Sequence, residues 1–170
     1  MQDNGVAQCL GAFYAAHKQE LFTYALSITR SPASAEDAVH DAFSRVLTKG
    51  RLPVELRPYI FRCVRNASLD VLRSAARERR KIEGCRSIFQ EGCGAALQET
   101  VTELLMLLSN KEREIVVLKI YSGLTLKEIA KVYGSRQGTV AATYWRSLQK
   151  LRKRVRAAAG GDSALREQLP

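Results

Sequence analysis

Proline is nearly missing from most of this chain. Pro32, Pro53 and Pro58 come early, Pro170 is last, and residues 59–169 contain none. Proline breaks helix interiors, so its absence over that length permits long uninterrupted helices. Strand-like alternation of apolar and polar residues is missing too; apolar residues recur at steps of three and four almost throughout. The pattern predicts an all-α protein. Histidine is scarce, with only His17 and His40, and the cysteines Cys9, Cys63, Cys85 and Cys93 form no Cys-x-x-Cys pair. Structural zinc sites use closely spaced ligand pairs, so no metal is expected. The chain has no Gly-rich phosphate loop, no G-x-S-x-G and no H-E-x-x-H, so neither a cofactor nor a catalytic residue is expected. His40 and Asp41 are adjacent, and helical neighbours point in different directions, which makes them a poor catalytic dyad. No run approaches the ~18 uncharged apolar residues that a membrane span needs, so direct membrane insertion is excluded. The opening MQDNGVAQCLGAFYAAHKQ has no basic region followed by an apolar stretch. A cytoplasmic location with reduced thiols is the expectation.

Positive charge, by contrast, is abundant. Among 170 residues, 27 are Lys or Arg and 17 are Asp or Glu, a formal net charge of +10. That excess points to a polyanionic partner. It is concentrated in two places: residues 1–50 are at −1, 51–94 at +5, 95–134 at zero and 135–170 at +6. Two neutral segments each precede a basic one, as expected of a protein that grips nucleic acid at two separate sites.

The apolar spacing predicts a first helix over about 6–29, with Leu10, Phe13, Tyr14, Leu21, Tyr24, Ala25 and Ile28 inward. Ser34 with Asp37 three residues on reads as a capping box for a second helix. In it Val39, Ala42, Phe43, Val46 and Leu47 form the inner stripe, and Lys49-Gly50 ends it. A third helix runs from about Arg57 to Lys81. Ile60, Cys63, Val64, Ala67, Val71 and Ala75 line one of its faces; Arg62, Arg65, Asn66, Asp70, Arg73, Arg77 and Arg80 line another. Arginine suits bidentate phosphate and base contacts, so this polar stripe is more than a solvated face. Residues 82–95 carry three glycines without clear periodicity and read as a linker. Beyond it Leu97, Val101, Leu104, Leu105 and Leu108 share a face, and Ser109-x-x-Glu112 caps a helix reaching about Tyr121, with Gly123 ending it.

Residues 125–155 read TLKEIAKVYGSRQGTVAATYWRSLQKLRKRV. Thr125-x-x-Glu128 opens a short helix that stops at Gly134. Ser135 is placed to cap a second, whose inner stripe is Val140, Tyr144, Leu148, Leu151 and Val155. Small Ala130 permits close helix approach, Gly134 supplies a positive φ and Val140 seats the second helix on the first: the layout of a DNA-binding helix-turn-helix. The basic run Lys150, Arg152, Lys153, Arg154 and Arg156 follows it. Trp145 fits either the core or the contact face.

Taken together, these blocks resemble the extracytoplasmic-function (ECF) sigma factors of the sigma-70 family, the dissociable promoter-recognition subunits of bacterial RNA polymerase. Ser34-Ala-Glu-Asp-Ala-Val-His-Asp-Ala-Phe43 is similar to the core-polymerase-binding helix of the family's region two. Arg57-Pro-Tyr-Ile-Phe-Arg-Cys-Val-Arg-Asn-Ala-Ser-Leu-Asp-Val-Leu-Arg73 is similar to its promoter-melting helix. Leu105–Leu118 and the helix-turn-helix resemble region four. The resemblance implies two small helical domains, 1–81 and 96–157, joined by the 82–95 linker and followed by a tail, 158–170. It implies core RNA polymerase, through its β′ subunit, and promoter DNA as partners, with an anti-sigma factor as a further candidate. By this resemblance Glu36, Asp37, His40, Asp41 and Ser44 face polymerase. Arg62, Arg65, Asn66, Asp70, Arg73 and Arg77 face the −10 element, and loop 49–56 walls a pocket for a flipped-out base. Arg136, Gln137, Thr139, Thr143, Arg146 and Lys150 face the −35 element. The bare Ala141-Ala142, where basic or hydroxyl residues are usual, leaves two rivals: a helix-turn-helix regulator acting on duplex DNA without polymerase, and a sigma-like interaction module that reads no promoter.

Overall fold

The computed structural model describes the backbone of residues 3–81, 101 and 103–166, and the side chains of 5–78, 101 and 103–157. The expected linker 82–95, Leu97 and the Arg80 side chain lie outside these. Among the described residues there are helices and no strand. In chain order they are α1 (Asp3–Thr29), α2 (Pro32–Thr48), α3 (Leu56–Lys81), α4 (Asn110–Val116), a π-helical turn (Val117–Tyr121), α5 (Leu126–Tyr133) and α6 (Gln137–Arg166).

Helices α1, α2 and α3 pack together as one three-helix unit. Leu21, Tyr24, Ala25 and Ile28 put the buried stripe of α1 at helical spacing. The side of α2 facing them is mostly small: Ala35, Ala38, Val39, Ala42 and Val46 are buried. Alanines allow the helix axes to approach, and Ile60, Phe61, Val64 and Ala67 of α3 fill what remains. Phe61 is fully buried, with its ring 5.7 Å from that of Tyr24. Burying side chains of this size contributes about 1.5–3 kcal/mol each.

The break between α1 and α2 differs from the sequence expectation. The N-cap is Ser31, not Ser34: Ser31 is extended and its hydroxyl accepts from the Ser34 N–H, 3.4 Å away. Pro32 takes the first helical position, where a missing N–H costs nothing. Arg30 turns the chain with φ of 58°. At the other end Lys49 caps α2 and Gly50 adopts φ of 65°.

In the second half both anticipated capping boxes form, Ser109/Glu112 on α4 and Thr125/Glu128 on α5. The helix expected to reach Tyr121 instead widens after Val116. The Ser122 N–H bonds five residues back to Val117, and the Leu124 N–H bonds Leu118. This lets both Leu118 and Leu124 be fully buried. Gly123 closes the turn with φ of 62°. Arg113 is buried and its guanidinium donates to the carbonyls of Leu105 and Leu108, at 2.9 and 3.1 Å. It thereby satisfies carbonyls that would otherwise be orphaned where the preceding segment ends. Leu104 and Leu105 are half-buried and Leu108 buried, but Val101 is exposed. Val155 is exposed as well, because α6 has by then run past its partners. The α6 backbone stays helical to Arg166.

Candidate nucleic-acid and polymerase interfaces

On α3 the arginine stripe is real in three dimensions. Arg62, Asn66, Arg73 and Arg77 are exposed. Asp70 is not free for DNA: it accepts from Arg73 at 3.1 Å and from Arg45 of α2 at 3.4 Å. Arg45 in turn grips Asp41 at 2.8 Å. One chain of ion pairs thus joins the acidic face of α2 to the arginine face of α3. Glu36, Asp37, His40 and Ser44 remain exposed on α2.

Beside them runs a groove of about 800 Å³ between α1 and α2, floored by Phe22, Val39 and Phe43 and edged by Lys18, Glu36 and His40. Tyr14 and Leu47, expected inward, are 45% and 48% exposed because they line this groove. The loop before α3 exposes Lys49, Arg51 and Val54.

The helix-turn-helix is α5 and α6. Gly134 sits in the left-handed region, φ 62° and ψ 35°, and the Ser135 N–H reaches back to the Ala130 carbonyl at 2.9 Å. That geometry favours glycine, since a Cβ there costs about 1–2 kcal/mol. Ala130 and Val140 are buried where the two helices meet. Ser135 does not cap α6: its hydroxyl is buried without a hydrogen-bond partner, and the helix begins at Gln137.

Arg136, Gln137, Gly138, Thr139, Ala142, Trp145 and Arg146 point outward. Thr143 does not. It is 8% exposed, and its hydroxyl donates to the Thr139 carbonyl at 2.9 Å, so it faces inward beside fully buried Ser147. Lys150 is held by Glu112 at 2.6 Å. With the Ser109 N–H, Lys150 pulls the Glu112 carboxyl down to about 2. Trp145, 55% exposed and edge-on to Tyr144, stands on the outward face.

A further cluster was not foreseen from sequence. Glu114 of α4 is 4% exposed. One of its carboxylate oxygens accepts from Arg65 at 2.8 Å, from the Tyr133 hydroxyl at 2.7 Å and from the Tyr24 hydroxyl at 3.4 Å. The Arg65 guanidinium also lies 4.4 Å from the centre of the Tyr133 ring. Burial, then the Glu114 charge, pushes the Tyr133 phenol well above its ordinary value. Burial would depress the Arg65 guanidinium, but Glu114 outweighs it and holds the group above its usual value. Around this cluster Arg57 donates to the Ser122 carbonyl and pairs with Glu20, Lys131 pairs with Glu55, and Arg30 donates to Asn110. Each partner is far away in sequence, so no local motif announces the cluster.

Fold and site together define a two-part helical DNA-binding protein, with an arginine-faced helix in one part and a helix-turn-helix in the other. Comparison with known proteins specifies the family. Residues 13–78 match Sigma-70 region 2 and residues 104–153 match Sigma-70, region 4. The chain is 24% identical over 140 residues to the RNA polymerase sigma factor SigV of Bacillus subtilis, covering 80% of this chain and 84% of SigV. It is 41% identical over 64 residues to the ECF RNA polymerase sigma factor SigD of Mycobacterium tuberculosis, 38% of this chain but only 29% of SigD.

Among solved structures, the sigma factor RpoE bound to the anti-sigma factor NepR from Bartonella quintana has the same fold. Its TM-score is 0.68 at 22% identity, over 85% of this chain and 97% of that one. CnrH in complex with the cytosolic domain of CnrY matches with a TM-score of 0.67 at 23% identity, over 92% and 93%. The chain belongs to the sigma-70 family, in its ECF group, and is an RNA polymerase sigma factor. No helix among the described residues is long and apolar enough to cross a membrane.

Proposed function

We propose that this sigma factor works in the cytoplasm by binding energy alone, catalysing no covalent step, and that its three surfaces divide the labour. The exposed α2 face of Glu36, Asp37, His40 and Ser44, with Asp41 at its edge, docks on the β′ subunit of core polymerase. The flank of α3 carrying Arg62, Arg65, Asn66, Arg73 and Arg77 holds the upstream edge of the opened −10 element. Loop 49–56 receives a base turned out of the stack, which costs a few kcal/mol that a fitted pocket offsets. Arg136, Gln137, Thr139 and Arg146 read the −35 duplex, with Lys150 on the phosphates once it leaves Glu112. Ala142 and Trp145 add apolar surface that suits thymine methyl groups. The observation that carries this reading is the order of parts: an arginine-faced region-two helix, then a helix-turn-helix whose turn has the required left-handed glycine. Since RpoE of Bartonella quintana, similar in fold, is seen in complex with the anti-sigma factor NepR, an inhibitor of that type is the further partner proposed.

The test is transcription by bacterial core polymerase on a genomic fragment library, with and without the chain. New start sites sharing two spaced upstream elements are expected. Polymerase binding without new starts would reduce the protein to an interaction module, and duplex retention without polymerase would make it a conventional regulator. The Asp37→Lys, Asp41→Lys double variant should lose polymerase binding while its circular dichroism stays helical; unchanged affinity would remove α2 from the docking surface.

A further inference from the structure

We infer that this sigma factor recognises its −35 element through thymine C5-methyl groups, with Trp145 and Ala142 as the residues that set that choice, so that the centre of the element is a short run of adjacent A·T pairs. The inference deepens the −35 reading above and rests on it.

The face of α6 that meets DNA is fixed by the face that does not. Val140, Thr143 and Ser147 are buried. A helix turns about 100° per residue, so the crest opposite them carries Gly138, Ala142, Trp145 and Gln149, all exposed. From Gly138 to Trp145 that crest advances about 10 Å, which spans about three base pairs of duplex. Over this length it carries no charge and, apart from the indole N–H, no polar side-chain group. The cations stand around it. Arg136 precedes the helix, and Arg152 and Lys153 come two turns after Trp145. Arg146 lies on the shoulder, its Nε donating to the Ala142 carbonyl at 3.2 Å. Charge is thus placed where phosphates line the groove walls, and apolar surface where base edges form the floor.

The chemistry of the major groove then decides what is read. Guanine offers acceptors there, while adenine and cytosine each offer a donor. Neither a methyl group nor the indole ring satisfies these. The C5-methyl of thymine is the one alkyl group on the floor, and alanine and aromatic side chains suit it. Trp145 stands half-exposed and edge-on to half-buried Tyr144, with ring centres 5.5 Å apart, so the indole is held in place before DNA arrives. Gly138, with open space where a Cβ would stand, lets the leading turn approach closely enough for Ala142 to touch a methyl. Thr143 cannot offer its own methyl, because it faces inward. Gln137, exposed at the leading end, suits adenine, the partner base of thymine. One consequence is purely chemical. 5-Methylcytosine carries the same methyl at the same ring position, so an apolar reader accepts it as it accepts thymine.

The test uses the unaltered chain and Trp145→Ala, each assembled with core polymerase. A promoter library randomised over the −35 element is selected with the unaltered holoenzyme, and single thymines of the selected promoter are then replaced by deoxyuridine. Adjacent thymines are expected, and each methyl removed should weaken promoter affinity about four-fold, the effect of one buried carbon. Trp145→Ala should keep its helical circular dichroism, bind the selected promoter several-fold more weakly and become insensitive to deoxyuridine at one or more of those positions. Changing a sensitive T·A pair to C·G should weaken binding, and 5-methylation of that cytosine should restore most of the loss. A selected element centred on G·C pairs, affinity indifferent to deoxyuridine, or a Trp145→Ala holoenzyme as sensitive as the unaltered one would each overturn the inference and leave the promoter reading standing. A chain that selects no promoter at all would overturn both.

Discussion

Gly138 presents a puzzle at the scale of one residue. It occupies the first turn of α6 without a positive φ, and a Cβ built on it would meet nothing within 4 Å. Glycine in a helix costs about 0.5–1 kcal/mol against alanine, and nothing inside the protein explains that cost. Close approach of a ligand to the backbone does, and Gly138 lies between Gln137 and Thr139 on the outward face. Gly138→Ala should therefore raise stability by about 0.5–1 kcal/mol in urea unfolding and weaken −35 duplex binding. Stabilisation with unaltered binding would place the DNA elsewhere on α6. Gly134→Ala should do the reverse to stability, losing about 1–2 kcal/mol, because its φ of 62° is strained for any side chain. What the sequence made legible follows the same division. Gly134, the two capping boxes and the buried stripes are local, set by spacings of three and four. Thr143 lies inward although neighbouring positions on the helix look equally polar in one dimension. Its hydroxyl can turn back to the Thr139 carbonyl and be buried, which the letter Thr does not reveal.

At the scale of elements, Glu112 does two tasks with one carboxylate. It closes the capping box with Ser109, at 2.9 Å to the N–H and 2.8 Å to the hydroxyl, and pairs with Lys150 on α6. The box was readable; the Lys150 partner, thirty-eight residues away, was not. The Lys150 contact and the Ser109 N–H lower its carboxyl from 4.5 to about 2. A carboxyl depressed on folding adds stability that is complete above its unfolded value and is lost as pH falls toward its folded one. The contribution from Glu112 is therefore present above about pH 4.5 and disappears between there and about pH 2. In Glu112→Gln the urea midpoint should fall less steeply across this window than in the unaltered chain. Parallel slopes would mean that the pair contributes nothing in solution. Arg113 and Glu114 show the same limit more sharply. They read as ordinary surface charges in a helix, yet one ties off carbonyls of the preceding segment and the other binds α1, α3 and α5 together.

At the scale of the whole molecule, the uneven charge becomes a statement about how binding depends on salt. Each phosphate neutralised by a protein cation on duplex DNA adds about 0.9 to the slope of log affinity against log salt, whereas a neutral base contact adds nothing. Arg146 and Asn66 are proposed to act in these two different ways, Arg146 as charge at the −35 duplex and Asn66 as a reader of an unpaired −10 base. In the complex with core polymerase, Arg146→Ala should weaken promoter binding most at low salt and reduce the slope by about 0.9. Asn66→Ala should weaken binding by a similar factor at every salt concentration, leave the slope alone and slow open-complex formation. Its own polymerase affinity should be unchanged, since Asn66 is exposed on α3 and remote in role from the α2 face. Measuring promoter affinity of the two holoenzymes from low to moderate salt separates the roles. Equal slopes for Arg146→Ala and the unaltered protein would remove Arg146 from the phosphate contacts. A slope changed by Asn66→Ala would mean that this residue acts through the neighbouring arginines, not on a base. Either result would redraw the division of labour between the two halves, because the charge at 51–94 and the charge at 135–170 would then not be serving the two DNA elements separately.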